Sequence, residues 1–411
     1  MKSIASIASI FIIALIGITS AHAAGKISGN EFNPAISLIL DGRYTSIDES
    51  DLELPGFQLG GEAGLPEDGF SVGHNELNIS ANVDDKFYGL LTAALVVEDG
   101  ESEVELEEAY IETLKLGKGF KIKAGQFYSN IGYQNSIHDH AQDFTDRALV
   151  YDALFGGHLL DVGIQASWVA PTDIFLQLGA EVTSGSAFPG GENSGSDNGL
   201  AFFAKTGGDI GASSSWLLGA SYYQSSFDVR EAGGHHAEEG GADNELLDGD
   251  VDVAGVDFVY KWAPNGNSKN KNFKFAAEYF VRNEDAESEF TEGDASAEAS
   301  YDGKQQGFYA QGIYQFRPGW RVGLRYEQLN ADNDITNFVD NGIDQEEFLE
   351  ESSLGTEDDP RRTSLMLDYS PSHFSRIRLQ YNNFDNGHDE NNDIFSVQYL
   401  MSLGSHGAHG F

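Results

Sequence analysis

The chain has 411 residues, with 24 Lys and Arg against 66 Asp and Glu, and its formal net charge at pH 7 is −42. This excess of carboxylates excludes a nucleic-acid-binding protein, which needs a basic surface to neutralise phosphates. The hydrophobic content of 40% excludes a disordered acidic chain, and the lack of cysteine excludes disulfides and thiol chemistry.

Residues 1–23 have the pattern of a secretory signal peptide. Lys2 precedes the apolar stretch Ile10 to Ile18, and Ala21-His22-Ala23 provides a cleavage site of small residues. The apolar stretch is shorter than the ~20 residues that a membrane-spanning helix needs, and no later window is apolar enough to span a bilayer. We therefore expect an exported chain whose mature domain covers residues 24–411.

The mature sequence alternates apolar and polar residues in about 16 segments, which is the period of β-strands. Short turns such as 84–85 and 317–319 join these segments at one end. Long joints connect them at the other end, at 45–73, 129–160, 225–250, 282–305 and 330–361. Transmembrane barrels show this asymmetry, with short periplasmic turns and long extracellular loops. The pattern predicts an all-β chain that forms a single antiparallel barrel in the outer membrane of a Gram-negative bacterium. Many of the carboxylates then lie in the extracellular loops.

Three segments resemble the phosphate-selective porin-like family of outer-membrane channels. They are VELEEAYIET from Val104, IKAGQF from Ile122, and HDHAQDFTDRALVYDALFGG from His138. Two further segments, NPAISLILDGRY from Asn33 and ELPGFQLGGEAG from Glu53, are similar to a branch of this family that is labelled zinc-regulated or TonB-dependent receptors. The resemblance implies a barrel whose third long loop, about residues 129–160, narrows the pore. We expect no TonB-gated receptor, because the first predicted strand follows the cleavage site too closely for the plug of roughly 150 residues that would block so wide a lumen.

The strand period also predicts which charged residues line the pore. Where the neighbouring apolar residues face lipid, acidic side chains of one segment and basic side chains of the next face the lumen, and more arginines do so near the C-terminus. These charges either form an electrostatic track for solutes with carboxylate or phosphate groups, or only neutralise one another. The predicted pore-lining residues are Glu103, Glu105, Glu107, Lys121, Lys123, Arg321, Arg325, Arg376 and Arg378.

Two histidine clusters are candidate metal sites, because imidazole and carboxylate groups suit zinc. The first is His138, Asp139 and His140, with Asp143 and Asp146 nearby, in the third long loop. The second is His235 and His236 in the segment 225–250. The alternative for both is a solvated polar loop. We therefore expect no tightly held cofactor, and at most weakly bound Zn²⁺ or Ca²⁺.

These patterns favour a porin-like channel for the diffusion or uptake of small charged solutes. The alternatives are a specific uptake barrel for zinc or a metal chelate, with or without a link to TonB, and a structural or adhesive barrel. No enzyme is expected, because the sequence has no nucleophile motif, zinc-protease motif or P-loop. The expected partners are outer-membrane lipid, lipopolysaccharide, the barrel-assembly machinery acting through Phe411, and two further copies in a homotrimer.

Overall fold

The computed structural model describes residues 34–48, 52–98, 101–193, 198–231, 243–356, 359–387 and 391–404. The predicted signal peptide, His235, His236 and Phe411 lie outside these ranges. Among the helices of the described residues, none has the length and apolarity needed to cross a bilayer.

The described strands form one closed antiparallel barrel, as the alternation predicts. The short strands β2 and β3 both pair with β1, because they are two halves of one barrel strand. Ile39 lies opposite Glu76 and Gly42 lies opposite Val72, so three steps along β1 match four steps along its partner. A one-residue bulge therefore separates β2 from β3, and the barrel has 16 strands. The strands are β1 (Ala35–Ser46), β2 (Gly69–Val72), β3 (Asn75–Asn82), β4 (Phe87–Glu98), β5 (Glu101–Thr113), β6 (Phe120–Tyr128), β7 (Leu160–Val169), β8 (Phe175–Thr183), β9 (Gly199–Ile210), β10 (Ser214–Glu231), β11 (Asp243–Trp262), β12 (Asn272–Glu292), β13 (Ala295–Arg317), β14 (Trp320–Asn341), β15 (Arg361–Ser372), β16 (Ser375–Asp385) and β17 (Asn391–Gly404).

The barrel is apolar outside and polar inside. Large apolar side chains such as Val104, Ile122, Leu324 and Leu379 are exposed on the outer face. Most of the buried charged and amide side chains lie on the alternate residues and face the lumen. This is the reverse of a soluble barrel, and it follows from the period of two in the strands.

Strands β11 to β14 are 20 to 23 residues long, about twice the ~9–11 residues that a bilayer requires. The prediction of a loop at 282–305 is therefore wrong. Strands β12 and β13 pair through this segment up to Glu292 and Ala295 and leave only a two-residue turn. Likewise, β10 and β11 extend into 225–250, and β14 extends to Asn341. The alternate residues Ala286 and Phe290 of β12 are buried inside this extension.

Many of the carboxylates lie on the outer face of the extended strands. Asp250, Asp285, Asp302 and Asp334 are exposed and lie directly opposite one another across β11, β12, β13 and β14. Like charges at directly opposed positions destabilise the pairing of strands.

Two segments fold into the lumen from the end that carries the long connections. They are residues 52–66, with Leu54 and Phe57 buried, and residues 129–159, which we call the constriction loop. The constriction loop contains a 3-10 turn (Asp139–Ala141) and helix α1 (Leu149–Phe155), all of whose residues are buried. A second 3-10 turn (Pro264–Gly266) joins β11 to β12. Helix α2 (Gln345–Glu351) follows β14 and buries Phe348 against the extended strands.

Candidate functional site: the constriction loop and the charged lumen

The constriction loop is held in the lumen by an apolar contact on β12. Tyr151 and Phe155 of α1 lie edge-on to Phe280, at ring-centroid distances of 5.5 and 5.2 Å. The helix ends at Gly156, which adopts a left-handed conformation with φ of 59°. A non-glycine residue would be strained there. The packed helix fixes the position of the middle of the loop against one side of the barrel.

Two buried glutamates hold the backbone of the loop's first part. Glu278 of β12 accepts hydrogen bonds from the N–H groups of Tyr133 (2.6 Å) and Gln134 (2.9 Å). It also accepts hydrogen bonds from the hydroxyls of Tyr151 (2.9 Å) and Tyr309 (2.6 Å). Glu181 of β8 accepts hydrogen bonds from Ser129 and Asn130 at the start of the loop. The folded backbone of the loop thus has specific partners on the barrel wall.

Arginines of β14 and β15 bind the loop through Asp146. Arg325 Nη2 lies 2.8 Å from Asp146 Oδ1, and Arg362 Nη1 lies 3.0 Å from Asp146 Oδ2. Both arginines also contact Glu327, which accepts a hydrogen bond from the N–H of Leu149. Burial by itself would raise the pKa of Asp146, but the two arginines lower it to about 2. The carboxylate therefore stays ionised and neutralises much of this charge.

The other predicted arginines lie closer to the end of the barrel that carries the short turns. Arg321 contacts Asp143 of the loop at 3.0 Å and Asp368 at 2.5 Å. Arg376 and Arg378 donate to loop carbonyls, at His140 (2.8 Å) and Gln142 (3.0 Å) respectively. We call the five arginines the basic wall: Arg321, Arg325, Arg362, Arg376 and Arg378.

The predicted metal residues of the loop separate into two groups. His138 and His140 reach a set of buried carboxylates, which we call the acidic wall: Glu76 on β3, and Glu107 and Glu108 on β5. Asp139 instead pairs with Arg147 of the loop, at 2.9 Å from Nε.

The histidines contact the acidic wall closely. His140 Nδ1 lies 2.6 Å from Glu76 Oε1, and His138 Nε2 lies 3.0 Å from Glu108 Oε2. Burial alone would lower the pKa of His138, but the neighbouring carboxylates of Glu107, Glu108 and Glu76 outweigh it and raise the pKa well above its usual value.

A bulge in β5 gives the acidic wall its second carboxylate on that strand. Thr92 lies opposite Glu108 and Ala93 lies opposite Leu106, so Glu107 is an extra residue. Glu107 and Glu108 are consequently both buried in the lumen. Strict alternation would have placed Glu108 on the outer face beside Leu106.

The remaining predicted pore residues lie on β5 and β6. Glu105 is half-buried, and Glu103 is exposed near the end of β5. The sequence suggests that Lys121 faces these glutamates, but the register of β5 and β6 places it beside Glu112 instead. Lys121 Nζ lies 3.1 Å from Glu112 Oε2. Lys123 lies over the ring of Tyr110, with Nζ 4.4 Å from the centroid.

A cavity of about 230 Å³ remains between the constriction loop and the wall formed by β1 and β17. Arg43 and Ser396 line it from the barrel, Asp146 and Arg147 line it from the loop, and Glu62 lines it from the segment 52–66. On the side of the short turns, a larger cavity of about 940 Å³ is lined by Arg321, Arg376 and Lys269 and by no acidic side chain of the described residues.

Asp152 of α1 also lines the smaller cavity. Burial raises the pKa of its carboxyl to about 7, although Arg362 and Arg147 oppose the shift. The charge at this point in the lumen therefore changes near neutral pH.

Sequence reasoning missed four residues of this site. Arg362 follows the same rule as Arg321, because Thr363 and Leu365 face outward. Glu76 follows the same alternation, because its neighbours Asn75 and Leu77 would face outward in an ideal strand. In the structure, the bulge between β2 and β3 leaves Asn75 buried as well. The signal for Glu108 is the change in apolar parity from Val104 and Leu106 to Ala109 and Ile111. His74 lies in the bulge between β2 and β3, which has no marker in the alternation.

Comparisons with known proteins agree with the barrel fold. No family model matches the chain. A protein of Aquifex aeolicus (strain VF5) that is described only as uncharacterised is 29% identical over 418 residues, which cover 95% of this chain and 82% of the relative. The high-pH structure of Pseudomonas putida OprB is 13% identical, with a TM-score of 0.52, over 91% of this chain and 94% of OprB. The outer-membrane channel DcaP of Acinetobacter baumannii is 14% identical, with a TM-score of 0.51, over 93% of this chain and all of DcaP. At these identities, the likeness to the two solved structures establishes a shared barrel fold.

Proposed function

We propose that this chain is a porin-like outer-membrane channel for small charged solutes, narrowed by the constriction loop. The observation that carries the proposal is the cavity of about 230 Å³ that the constriction loop leaves beside β1 and β17. The apolar outer face of the barrel supports a location in a bilayer, and the shared fold with the channel DcaP supports a transport role.

Solutes with carboxylate or phosphate groups are the proposed cargo. Most of the basic wall is neutralised by Asp143, Asp146, Glu327 and Asp368, so these arginines mainly hold the loop. Arg376 differs, because its Nε forms no hydrogen bond within the described residues and its side chain lines the larger cavity. A positive cavity behind the constriction would attract an anionic group. The resemblance to phosphate-selective porins agrees with this selectivity. The anion selectivity, the gating by the loop and the homotrimer are all proposals.

Conductance across planar bilayers tests the channel. We expect purified protein to produce discrete current steps. In a KCl gradient, Arg376→Ala should shift the reversal potential towards cation selectivity, because it removes a positive charge from the larger cavity. Arg361→Ala is the matched control, since Arg361 is 57% exposed and pairs with Asp385 outside the lumen. Absence of current steps from folded, inserted protein would contradict the channel, and equal reversal potentials for the two variants would contradict the anion route.

An uptake barrel for zinc or a metal chelate is the second candidate. The histidines that meet the acidic wall favour it, because His140 also lines the larger cavity. Radioactive zinc uptake into proteoliposomes separates the two functions. Saturable zinc entry that excludes other small ions would replace the general channel with a specific carrier.

A further inference from the structure

We propose that Glu76, Glu107, His138 and His140 bind a divalent transition-metal ion, best matched by Zn²⁺, that fastens the constriction loop to the barrel wall. Glu76, His138 and His140 each present a ligand atom within 4.8 Å of the other two. His74, Glu76 and Glu107 do the same. Two imidazoles and two carboxylates form a ligand set that suits zinc.

Three of the contacts between these residues can be compared with the spacing of ligand atoms around zinc. His140 Nδ1 lies 2.6 Å from Glu76 Oε1, His138 Nδ1 lies 3.2 Å from Glu76 Oε2, and His138 Nδ1 lies 3.5 Å from Glu107 Oε2. At zinc–ligand bonds of about 2 Å, two tetrahedral ligand atoms lie roughly 3.3 Å apart. The two contacts of His138 match this spacing, and the contact between His140 and Glu76 would have to lengthen.

A second observation points to a ligand at this place. Glu107 is 3% exposed, and its Oε2 atom accepts no hydrogen bond within the described residues. His138 Nδ1 is also buried without a hydrogen-bond partner there. Both atoms face the same point, beside Glu76. Buried polar atoms without partners are unfavourable, and one ion coordinated by both would satisfy them.

The surrounding contacts are those that orient metal ligands. His138 turns Nδ1 towards Glu76 and Glu107, while its Nε2 lies 3.0 Å from Glu108 Oε2. Metal-binding histidines commonly donate their second nitrogen to a carboxylate in this way. Glu107 Oε1 accepts hydrogen bonds from the hydroxyl of Tyr128 (2.9 Å) and from His74 Nε2 (2.6 Å), which leaves Oε2 for the ion.

Charge balance also favours a divalent ion. Glu76, Glu107 and Glu108 bring three carboxylates together at 7% exposure or less. Such a group needs compensating positive charge, because burying unpaired charges is costly. In the absence of an ion, protonated His138 supplies part of this charge, and a divalent ion that replaces its proton would supply two positive charges.

The site differs from the proposed passage. Of the four ligands, His140 lines the 940 Å³ cavity, whereas Glu76, Glu107 and His138 line neither this cavity nor the 230 Å³ cavity. The ligands come from the wall strands β3 and β5 and from the constriction loop, so the ion would join the two. We therefore infer a resident ion that holds the first half of the loop in place, and not a solute in transit.

Zinc binding to the whole, tag-free protein in detergent tests this site. After removal of metal with a chelator, we expect one Zn²⁺ per chain by elemental analysis, with the affinity measured against a chromogenic chelator. Glu76→Gln and His140→Ala should weaken binding by more than about 100-fold. Glu108→Gln should weaken it by about 10- to 100-fold, as is usual for a residue that orients a ligand. Heat-modified gel mobility verifies that each variant is folded.

Two controls make the result specific. His373→Ala removes an exposed histidine from the turn between β15 and β16, and His235→Ala with His236→Ala removes the second predicted cluster. Both should bind zinc as the unmodified protein does. The site is refuted if the folded protein takes up no stoichiometric zinc, if Glu76→Gln binds as well as the original chain, or if the His235 and His236 variant loses the ion. None of these results depends on conductance, so the channel is tested separately.

Discussion

The anchoring of the constriction loop by Glu278 leads to a quantitative prediction for Glu278→Gln. Each carboxylate oxygen accepts one backbone N–H and one tyrosine hydroxyl, so four hydrogen bonds converge on a side chain that is 2% exposed. In glutamine, one oxygen becomes an NH₂ group that faces the N–H of either Tyr133 or Gln134. One backbone donor then loses its acceptor, and the hydrogen bonds at the other oxygen lose the help of the charge.

The expected loss follows from typical hydrogen-bond energies. An orphaned buried donor costs about 1–3 kcal/mol, and each of two bonds weakened from charged to neutral costs about 1 kcal/mol. The folded position of the loop therefore becomes less stable by about 3–5 kcal/mol. Since about 1.4 kcal/mol corresponds to a factor of ten, the fraction of time that the loop is released rises by about two to three and a half orders of magnitude.

Single-channel recording measures this release. We expect Glu278→Gln to show a larger mean conductance and more frequent current fluctuations than the original chain. Glu289→Gln is the matched control, because Glu289 lies on the same strand but is only half-buried and faces away from the lumen. Identical conductance and noise for Glu278→Gln and Glu289→Gln would refute the assignment of Glu278 as an anchor of the loop.

Three further predictions concern the same region. Asp152→Asn should raise the melting temperature at pH 8 and change it little at pH 4. Burial raises the pKa of Asp152 to about 7 in the folded chain, whereas the pKa in the unfolded chain is near 4. The buried carboxyl therefore destabilises the fold increasingly as the pH rises above about 4, and asparagine removes this cost. Circular-dichroism melts at the two pH values test this, and an equal gain at both would contradict it. Arg362→Ala should cost about 3–5 kcal/mol of unfolding free energy by leaving buried carboxylates unpaired, whereas Arg361→Ala should cost less than about 1 kcal/mol. Urea unfolding in detergent compares the two, and similar losses would disprove the buried role. Gly132→Ala should release the loop as Glu278→Gln does, since Gly132 has a φ of 56° and a Cβ there would meet the carboxylate of Glu278. Unchanged channel noise would exclude this.

The barrel was predictable because alternation survives over many strands, but the length of the outer strands was not. Glu, Asp and Gly are rare in strands, so the acidic run around Glu284 to Glu298 is typical of a loop. The structure pairs this run because Ala286, Phe290 and Ala297 bury a small apolar core inside the extension. Those residues also alternate, but the acidic residues between them mask the pattern.

The sequence predicts many of the residues that line the lumen, but it does not predict which of them contact one another. Alternation places Arg321, Arg325, Arg376 and Arg378 in the lumen, and the loop resemblance suggests what they meet. The partners of His138 come from strands that lie 30 or more residues away in the sequence. One of those partners reaches the lumen only through a bulge. Local patterns carry no information about such contacts, because tertiary register decides them.

The row of aspartates across β11 to β14 makes the outer rim of the barrel sensitive to the medium. Neighbouring strands lie about 4.8 Å apart, which is well inside the Debye length of about 10 Å at 0.1 M salt. The repulsion between Asp250, Asp285, Asp302 and Asp334 is thus only partly screened there, and it grows as the salt is diluted. The ends of the extended strands should fray in nearly ion-free water while the rest of the barrel keeps its pairing.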